Sequence, residues 1–347
     1  MRDVSMIRKL GCEKTCEVQK KVGKRFPGSV RWLTAEEEAG RLGRVKMPRI
    51  KQITMEKEYE KNPDISPEDI DKLRQWLKTQ PHLPGDALTD LDLMITFHCC
   101  ERSQTVSRQV LDLHYTLKTL FTSFFKERSF DSRVQFCLDK ILFAPLAWPT
   151  LEGYRVVYLR VLDPDPRCFI FNDCVRTFMM MFDLWQYEEG TWPGFVMMID
   201  MDQTVIGHIT RLEVMSIRQV LYFLQNCMLI KLKSVHFLNA PSFMDKLMMM
   251  LRPFLNKTLM DLINIHQVGS DTLEKFVPRR ILPKEDGGEY KTRKEIQSEL
   301  IERLKENQEF WSEERHKRVN EKKRPGKAAT IEDLFGIQGS FKKLDID

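Results

Sequence analysis

The run G-F-V-M-M-I-D-M-D, residues 194–202, opens the stretch that decides the fold of this chain. The stretch continues through K-L-K-S-V-H-F-L-N-A-P (231–241) and R-P-F-L (252–255) and ends at I-L-P-K-E-D-G-G (281–288). Its short apolar runs predict strands at 195–199, 234–238 and 262–266, and a β-rich run after Tyr154 predicts an earlier strand. Helical periodicity at 172–185, 210–225 and 242–255 separates the strands. Strands that alternate with helices predict an α/β fold with a mostly parallel sheet.

Residues 242–255 are apolar on nearly every side, although a surface helix needs only one apolar face. As a helix, the segment presents two stripes, one of Phe243, Leu247, Met250 and Phe254 and the other of Met244, Met248 and Leu251. Two apolar faces are expected if one covers a pocket and the other enters lipid. The alternative is a helix that is buried on both sides. Pro241 and Pro253 bracket the segment, which suits a unit that moves as a block.

The composition is that of a folded soluble protein. Of the 347 residues, 42% are hydrophobic and 30% are charged, and both fractions are ordinary. The longest apolar runs, 178–182 and 247–251, are far shorter than the roughly 20 residues of a membrane span. The N-terminus lacks the continuous apolar core of a secretory signal. A cytoplasmic protein is therefore expected.

The charges and the cysteines exclude further classes. The net charge is +5, and without a basic stripe interleaved with aromatics, nucleic-acid binding is not expected. The eight cysteines form no C-x-x-C pair. Neither a zinc site nor a disulfide framework is therefore expected, and the thiols are predicted to be reduced. We expect no metal and no cofactor.

The chain divides into four predicted regions. Residues 1–50 carry 13 basic residues against 6 acidic ones and are predicted to be a disordered extension. Residues 51–145 are predicted to form a small helical domain that starts with Ser66 as an N-cap and Pro67 in the first turn. Residues 146–290 are predicted to form the α/β domain. In 291–347, a charged helix over 291–323 precedes an apolar tail whose Leu334, Phe335, Ile337 and Phe341 are expected to dock on the domain.

No catalytic motif stands out. The chain contains no G-x-S-x-G, no G-x-G-x-x-G and no P-loop. Asp200 and Asp202 close a strand, where catalytic acids can lie, but a strand-ending turn explains them as well. The histidines at 98, 114, 208, 236 and 266 lie far apart on apolar stripes or at strand ends. We therefore predict no catalytic residues, with a small-molecule enzyme kept as an alternative.

At this point the quoted blocks, together with H-I-T at 208–210, resemble the CRAL-TRIO family of lipid-binding proteins. Within it, the likeness is strongest to the α-tocopherol carriers and the retinaldehyde carriers. The C-terminal G-S-F-K-K-L-D-I-D resembles arthropod members. The resemblance covers about 66–288 plus the tail. It implies a three-helix N-terminal domain, a sheet under a closed apolar pocket and a mobile gate helix that opens at a membrane.

The resemblance also implies roles for individual residues. The pocket wall would consist of Cys174, Thr177, Phe178, Met181, Phe195, Ile199, Leu212, Val220, Phe223, Leu224, Met228, Ile230, Leu232 and Val235. The gate would carry Phe243, Leu247, Met250 and Phe254. Lys231 and Lys233 match basic positions that bind phosphoinositide phosphates, and Arg252 or Lys257 could substitute for two basic positions that read Thr258 and Leu262 here. Ordinary core residues and solvated lysines are the alternatives.

The leading expectation is a non-enzymatic cytoplasmic carrier of a retinoid-like or tocopherol-like molecule, which associates transiently with phosphoinositide-bearing membranes. A monomer is expected. The alternative within the same fold is a phospholipid exchanger or lipid sensor of the phosphatidylinositol-transfer kind. Such a protein needs buried polar partners for the phosphate, and the predicted wall offers little beyond Thr177.

Overall fold

The structure is a computed structural model that describes residues 50–335. The extension predicted for 1–50, apart from Ile50, lies outside the described residues. Ile337 and Phe341, which are predicted to dock, also lie outside them.

Six helices precede the sheet in the described part of the chain. They are α1 (Met55–Lys61), α2 (Pro67–Lys78), α3 (Asp90–Cys99), α4 (Gln104–Leu120), α5 (Thr122–Phe125) and α6 (Ser132–Lys140). Ser66 and Asp69 form the capping box that starts α2, and Ser103 accepts a hydrogen bond from the Val106 amide at the start of α4. The predicted helical region is therefore confirmed, but its described part has six helices rather than the three that the resemblance implies.

Five strands form one sheet in the order β1-β2-β3-β4-β5. They are β1 (Ile141–Leu146), β2 (Arg155–Val161), β3 (Phe195–Asp200), β4 (Leu232–Ala240) and β5 (Ile263–Gln267). β1 runs antiparallel to β2, and the other neighbouring pairs are parallel. The mostly parallel α/β sheet is confirmed. β1 was not predicted, because Pro145 interrupts its apolar run and proline is tolerated in a sheet mainly at an edge.

The crossovers between the parallel strands are helical. α7 (Phe171–Glu189) links β2 to β3, and α8 (Ile206–Ile209) and α9 (Val214–Asn226) link β3 to β4. α10 (Met244–Leu251), the 3₁₀ turn Arg252–Phe254 and α11 (Lys257–Asp261) link β4 to β5. The prediction of one helix over 210–225 was too long at its start, because Glu213 has an extended backbone and acts as the N-cap of α9.

The prediction of one charged helix over 291–323 was wrong. The structure has α12 (Arg293–Glu306) and α13 (Gln308–Glu314), with the break at Asn307, and the last described helix is α14 (Ile331–Phe335). Asn307 is buried and accepts a hydrogen bond from the Ile50 amide. Phe335 stacks on Phe121 with ring centroids 6.1 Å apart, and its ring centroid lies 5.5 Å from that of Tyr222 on α9.

The two faces of the sheet are covered by different sets of residues. One face packs against α7 and α9 and continues into the cavity described below. The opposite face carries Val156, Tyr158, Val196 and Met198 and is covered by the segment around Ile281 and by α12. Because successive side chains of a strand point to opposite faces, the continuous apolar run of β3 supplies both cores.

Candidate ligand-binding cavity

A cavity of about 330 Å³ lies between the sheet and the helices α7, α9 and α10. Its floor includes Phe143 of β1, Leu159 of β2 and Ile199 of β3. The helices contribute Phe178 from α7 and Leu224 from α9. The volume lies within the range of small-molecule sites in proteins. The wall is almost wholly apolar, which suits a hydrophobic ligand and disfavours ordered water.

The helix α10 forms one side of this cavity. Leu247 and Leu251 line the cavity, and Met244 and Met248 are buried next to it. Met249 lies on the outer side and is 69% exposed. The two predicted stripes therefore do not separate an inner from an outer face, because both contain buried residues. Phe243, Met250 and Phe254 are half-buried.

Eight of the residues predicted for the pocket wall line the cavity: Cys174, Phe178, Ile199, Leu212, Val220, Leu224, Met228 and Val235. They come from α7, β3, α9, β4 and the loops beside α9. The structure therefore brings together residues that are up to about sixty positions apart in the sequence. Whether they bind a ligand stays a prediction.

Six predicted wall residues do not line the cavity: Thr177, Met181, Phe195, Phe223, Ile230 and Leu232. Phe195 is buried against Trp192 with ring centroids 5.6 Å apart, and Phe223 packs on His114 and Phe125. Thr177 and Met181 are buried in the core cluster around α7. Ile230 and Leu232 are half-buried at the start of β4. These positions lie outside the cavity because it extends over only part of the helices and strands that carry them.

The sequence reasoning missed several lining residues. Phe143 could not be found without β1, and Phe169 and Phe171 lie just before the helix predicted at 172–185. Phe237 and Ile263 lie on predicted strands, and alternation from Val235 would have placed Phe237 on the same face. His208 and Arg160 also line the cavity. Their polar side chains gave no signal for an apolar pocket.

One end of the cavity reaches a group of charged side chains. Asp200 accepts hydrogen bonds from Tyr158 (2.5 Å), Asn239 (2.8 Å) and Arg160. Arg160 also pairs with Asp202. Burial acts to raise the pKa of Asp202, but Arg160 lowers it more, so the net pKa is below its ordinary value. Asp200 and Asp202 are thus held by a structural ion-pair network at the strand end.

A second polar cluster lies on the other side of the sheet. His236 Nδ1 is 2.9 Å from His266 Nε2, and His266 Nδ1 is 2.7 Å from Thr272 Oγ1. His236 Nε2 is 2.8 Å from Ser234 Oγ. Burial, followed by the neighbouring His266, lowers the pKa of His236 to about 4. Both imidazoles have partners, as expected of structural histidines.

The four basic residues predicted to contact a headgroup differ in their surroundings. Lys231 forms an ion pair of 2.9 Å with Glu101, and the Lys233 ammonium lies 5.5 Å from the Tyr154 ring centroid. Arg252 and Lys257 are exposed. The Val235 amide donates to the Leu262 carbonyl. The segments that lead into the parallel strands β4 and β5 therefore lie at the same end of the sheet, where these strands begin. This end of the sheet carries Lys231 and Lys233 at the start of β4, and Lys257 on α11, the helix that leads into β5.

Parts of the chain are similar to known proteins and to known domain families. A family model of the CRAL/TRIO domain matches residues 144–288, and one of the Pinta-like UBA domain matches residues 62–134. Clavesin-2 of Rattus norvegicus and that of Homo sapiens are each 24% identical over 245 residues, which are 68% of this chain and 73% of theirs. Clavesin-1 of Mus musculus is 24% identical over 234 residues, which are 67% of this chain and 66% of its own. The crystal structure of Sfh5 is 13% identical, covers 61% of this chain and 77% of its own, and has a TM-score of 0.40.

The α/β domain, with its mostly parallel sheet and an apolar cavity beneath a short helix, fits the class of lipid-binding domains that the family model describes. Residues 144–288 of the chain match the CRAL/TRIO domain, the domain of the CRAL-TRIO family. Members of this family bind hydrophobic ligands and act at membranes. Within residues 50–335, no helix has the length and hydrophobicity required to cross a bilayer.

Proposed function

We propose that this protein is a non-enzymatic carrier of a retinoid-like or tocopherol-like molecule, which it holds in the cavity and exchanges at phosphoinositide-bearing membranes. The observation that carries the proposal is an almost wholly apolar cavity with a short helix as one wall. Each 100 Å² of apolar ligand surface that leaves water contributes about 2.5 kcal/mol. Part of that gain is offset by the lost freedom of the ligand.

The helix α10 is the proposed gate. Its inner residues Leu247 and Leu251 contact the cavity, while Met249 presents an apolar side chain to the outside. Prolines 241 and 253 stand before and after it, so the segment can move with few changes in its own hydrogen bonds. A helix that leaves the cavity to enter lipid transfers its inner face from one apolar environment to another. Opening is then less costly at a membrane than in water.

Phospholipid exchange is less well supported. A phosphate in the cavity would need an unpaired cation, and the Arg160 guanidinium, the cation in the described wall, is bound to Asp200 and Asp202. Asp286 lies 3.6 Å from the same guanidinium. We therefore assign the phosphoinositide to the basic residues at the start of β4 and before β5 rather than to the cavity.

The proposal predicts the effect of Met249→Asp on transfer. Asp at the centre of a bilayer costs about 3 kcal/mol, so even partial entry should slow transfer of retinol between liposomes roughly tenfold. Affinity for retinol should not change, because Met249 does not line the cavity. Transfer is measured by fluorescence energy transfer between donor and acceptor liposomes.

The matched control is Val106→Asp, the same kind of change at an exposed position on α4, outside the lipid-binding domain. Val106→Asp should leave the transfer rate unchanged. Equal rates for wild type and Met249→Asp would contradict a gate that enters the membrane. Native mass spectrometry of the purified protein tests the cargo, and a phospholipid as the sole bound species would contradict the proposal.

A further inference from the structure

His208 is a buried polar side chain in the wall of an otherwise apolar cavity. It lies on the short helix α8, is 3% exposed and lines the cavity beside Ile209. A histidine here needs a reason, because every unpaired polar atom in such a wall destabilises the protein. One of its two ring nitrogens has a clear structural role, and the other does not.

The role of Nδ1 follows from its contacts. The Val205 amide donates to His208 Nδ1 over 3.0 Å, as in a capping box where the third helical residue receives the N-cap amide. The Val205 carbonyl oxygen is also near, at 3.2 Å. A hydrogen on Nδ1 would meet the amide hydrogen, so Nδ1 must be the acceptor. Because burial lowers the pKa of His208, the ring is neutral near pH 7, and its one proton is therefore on Nε2.

The Nε2 donor is left without a partner. Among the residues that the structure describes, none forms a hydrogen bond with this buried atom. The Phe169 ring is near, with centroids 5.4 Å apart in an edge-to-face arrangement, but an N–H contact with an aromatic ring is weaker than a hydrogen bond to oxygen. Buried donors are nearly always satisfied. This donor therefore requires an acceptor that the described protein does not supply.

The other polar groups of the cavity wall limit what that acceptor can be. Arg160 is bound to Asp200 and Asp202, and Asp200 also receives Tyr158 and Asn239. The Arg160 guanidinium is therefore not available to neutralise a negatively charged headgroup. A carboxylate or phosphate in the cavity would meet Asp200 and a neutral imidazole, and would be disfavoured.

We propose that the ligand is an uncharged lipid with one oxygen-containing group, a hydroxyl or a carbonyl, which accepts a hydrogen bond from His208 Nε2. The rest of the molecule is hydrocarbon and lies against the apolar wall. This inference rests on the function proposed above and narrows the class of cargo. The oxygen atom selects among lipids and sets their orientation, and the hydrocarbon supplies most of the affinity.

The test combines one substitution with three probes of equal chain length. In His208→Asn, the amide oxygen can still accept from the Val205 amide, but the Nε2 donor is gone. Dodecanol, dodecane and dodecanoate are each used to displace the neutral fluorophore N-phenyl-naphthylamine from the full-length protein. We expect His208→Asn to weaken the binding of dodecanol roughly threefold to tenfold, which is the usual effect of one lost hydrogen bond. Dodecane should bind both proteins equally, and dodecanoate should bind wild type more weakly than dodecanol does.

The outcomes separate this inference from the proposed function. If none of the three probes displaces the fluorophore from wild type, both fail. If dodecanol and dodecane bind and His208→Asn changes both equally or neither, only the role of His208 fails. If dodecanoate binds most tightly of the three probes, the proposal of an uncharged headgroup is overturned. Should the variant not fold, the Nε2 proton of wild-type His208 is observed by NMR, and a dodecanol-induced shift no larger than that caused by dodecane overturns the proposal.

Discussion

At the residue scale, Cys174 illustrates how a position in α7 acquires its role. Its sulfur lies 3.8 Å from that of Cys137, and it lines the cavity. The contact with the Cys137 thiol, followed by burial, raises the pKa of Cys174 well above its ordinary value. The side chain is therefore a protonated thiol that acts as a small apolar surface. Its neighbour on the same helix, Met181, is fully buried in the core instead.

Cys174→Phe is expected to weaken binding of retinol by about tenfold or more, since overlap of the new ring with the ligand costs more than about 1 kcal/mol. The protein itself should stay folded, because the ring can enter the cavity. Fluorescence titration with retinol measures the affinity, and thermal unfolding reports stability. Met181→Leu, a conservative change outside the cavity, is the control and should bind as wild type does. Unchanged affinity in Cys174→Phe would place the ligand elsewhere.

At the element scale, the segments that lead into β4 and β5 determine how the basic residues act. Glu101 holds Lys231 in an ion pair, and this contact lowers the pKa of Glu101. Lys233 and Lys257 are exposed, at the start of β4 and in the helix that leads into β5. The sequence shows the i, i+2 spacing of the two lysines but not the carboxylate that occupies one of them. The position of Glu101 depends on the packing of α3 near the start of β4.

Lys233→Glu and Lys257→Glu should each weaken binding to phosphoinositide liposomes by about fivefold or more, because each basic residue near an anionic surface contributes about 1 kcal/mol. Glu101→Gln should strengthen binding, since it frees Lys231. Liposome co-sedimentation at fixed ionic strength measures both effects. Lys72→Glu, on the exposed face of α2, is the control. Stronger binding by Lys233→Glu, or no response to Glu101→Gln, would contradict this site.

At the scale of the whole molecule, a buried ion-pair network joins the helical region, the lipid-binding domain and the C-terminal helices. Lys118 of α4 pairs with Asp183 of α7 (2.9 Å) and Glu314 of α13 (2.6 Å). Arg128 pairs with the same two carboxylates at 2.6 and 3.1 Å. Burial acts to raise the pKa of Glu314, but Arg128, Lys118 and Arg318 lower it more, so the net pKa is well below its ordinary value.

Glu314→Gln should lower the free energy of unfolding by about 3–5 kcal/mol at pH 7, because it leaves buried cations without their partner. The folded pKa of Glu314 is depressed, so its contribution is complete above the unfolded value of about 4.3 and is lost as the pH falls below it. The stability curves of variant and wild type should therefore converge in acid. Urea denaturation between pH 7 and pH 3 measures this, with Glu302→Gln, an exposed change on α12, as the control. A constant difference across that range would contradict the assignment.

Local patterns were enough to place most elements. The helix Pro67–Lys78 begins at the predicted cap, Ser66, because a cap depends on neighbouring residues. β1 was missed because Pro145 is acceptable only at a sheet edge, and the edge is a property of the assembled sheet. The break at Asn307 was missed for a similar reason, since it depends on a contact with Ile50, far away in the sequence.

The sequence by itself determined the likeness to the CRAL-TRIO family, the alternation of strands and helices from β2 to β5 and the apolar character of the segment around α10, because all of these follow from residue type and local spacing. Only the tertiary structure decided which apolar residues face the cavity, that Leu247 lies inside and Met249 outside, and that Lys231 is paired. It also decided that, among the described residues, the His208 Nε2 donor has no partner. A hydrophobic side chain favours burial in the core and in a cavity wall equally. The choice between them depends on how distant elements pack.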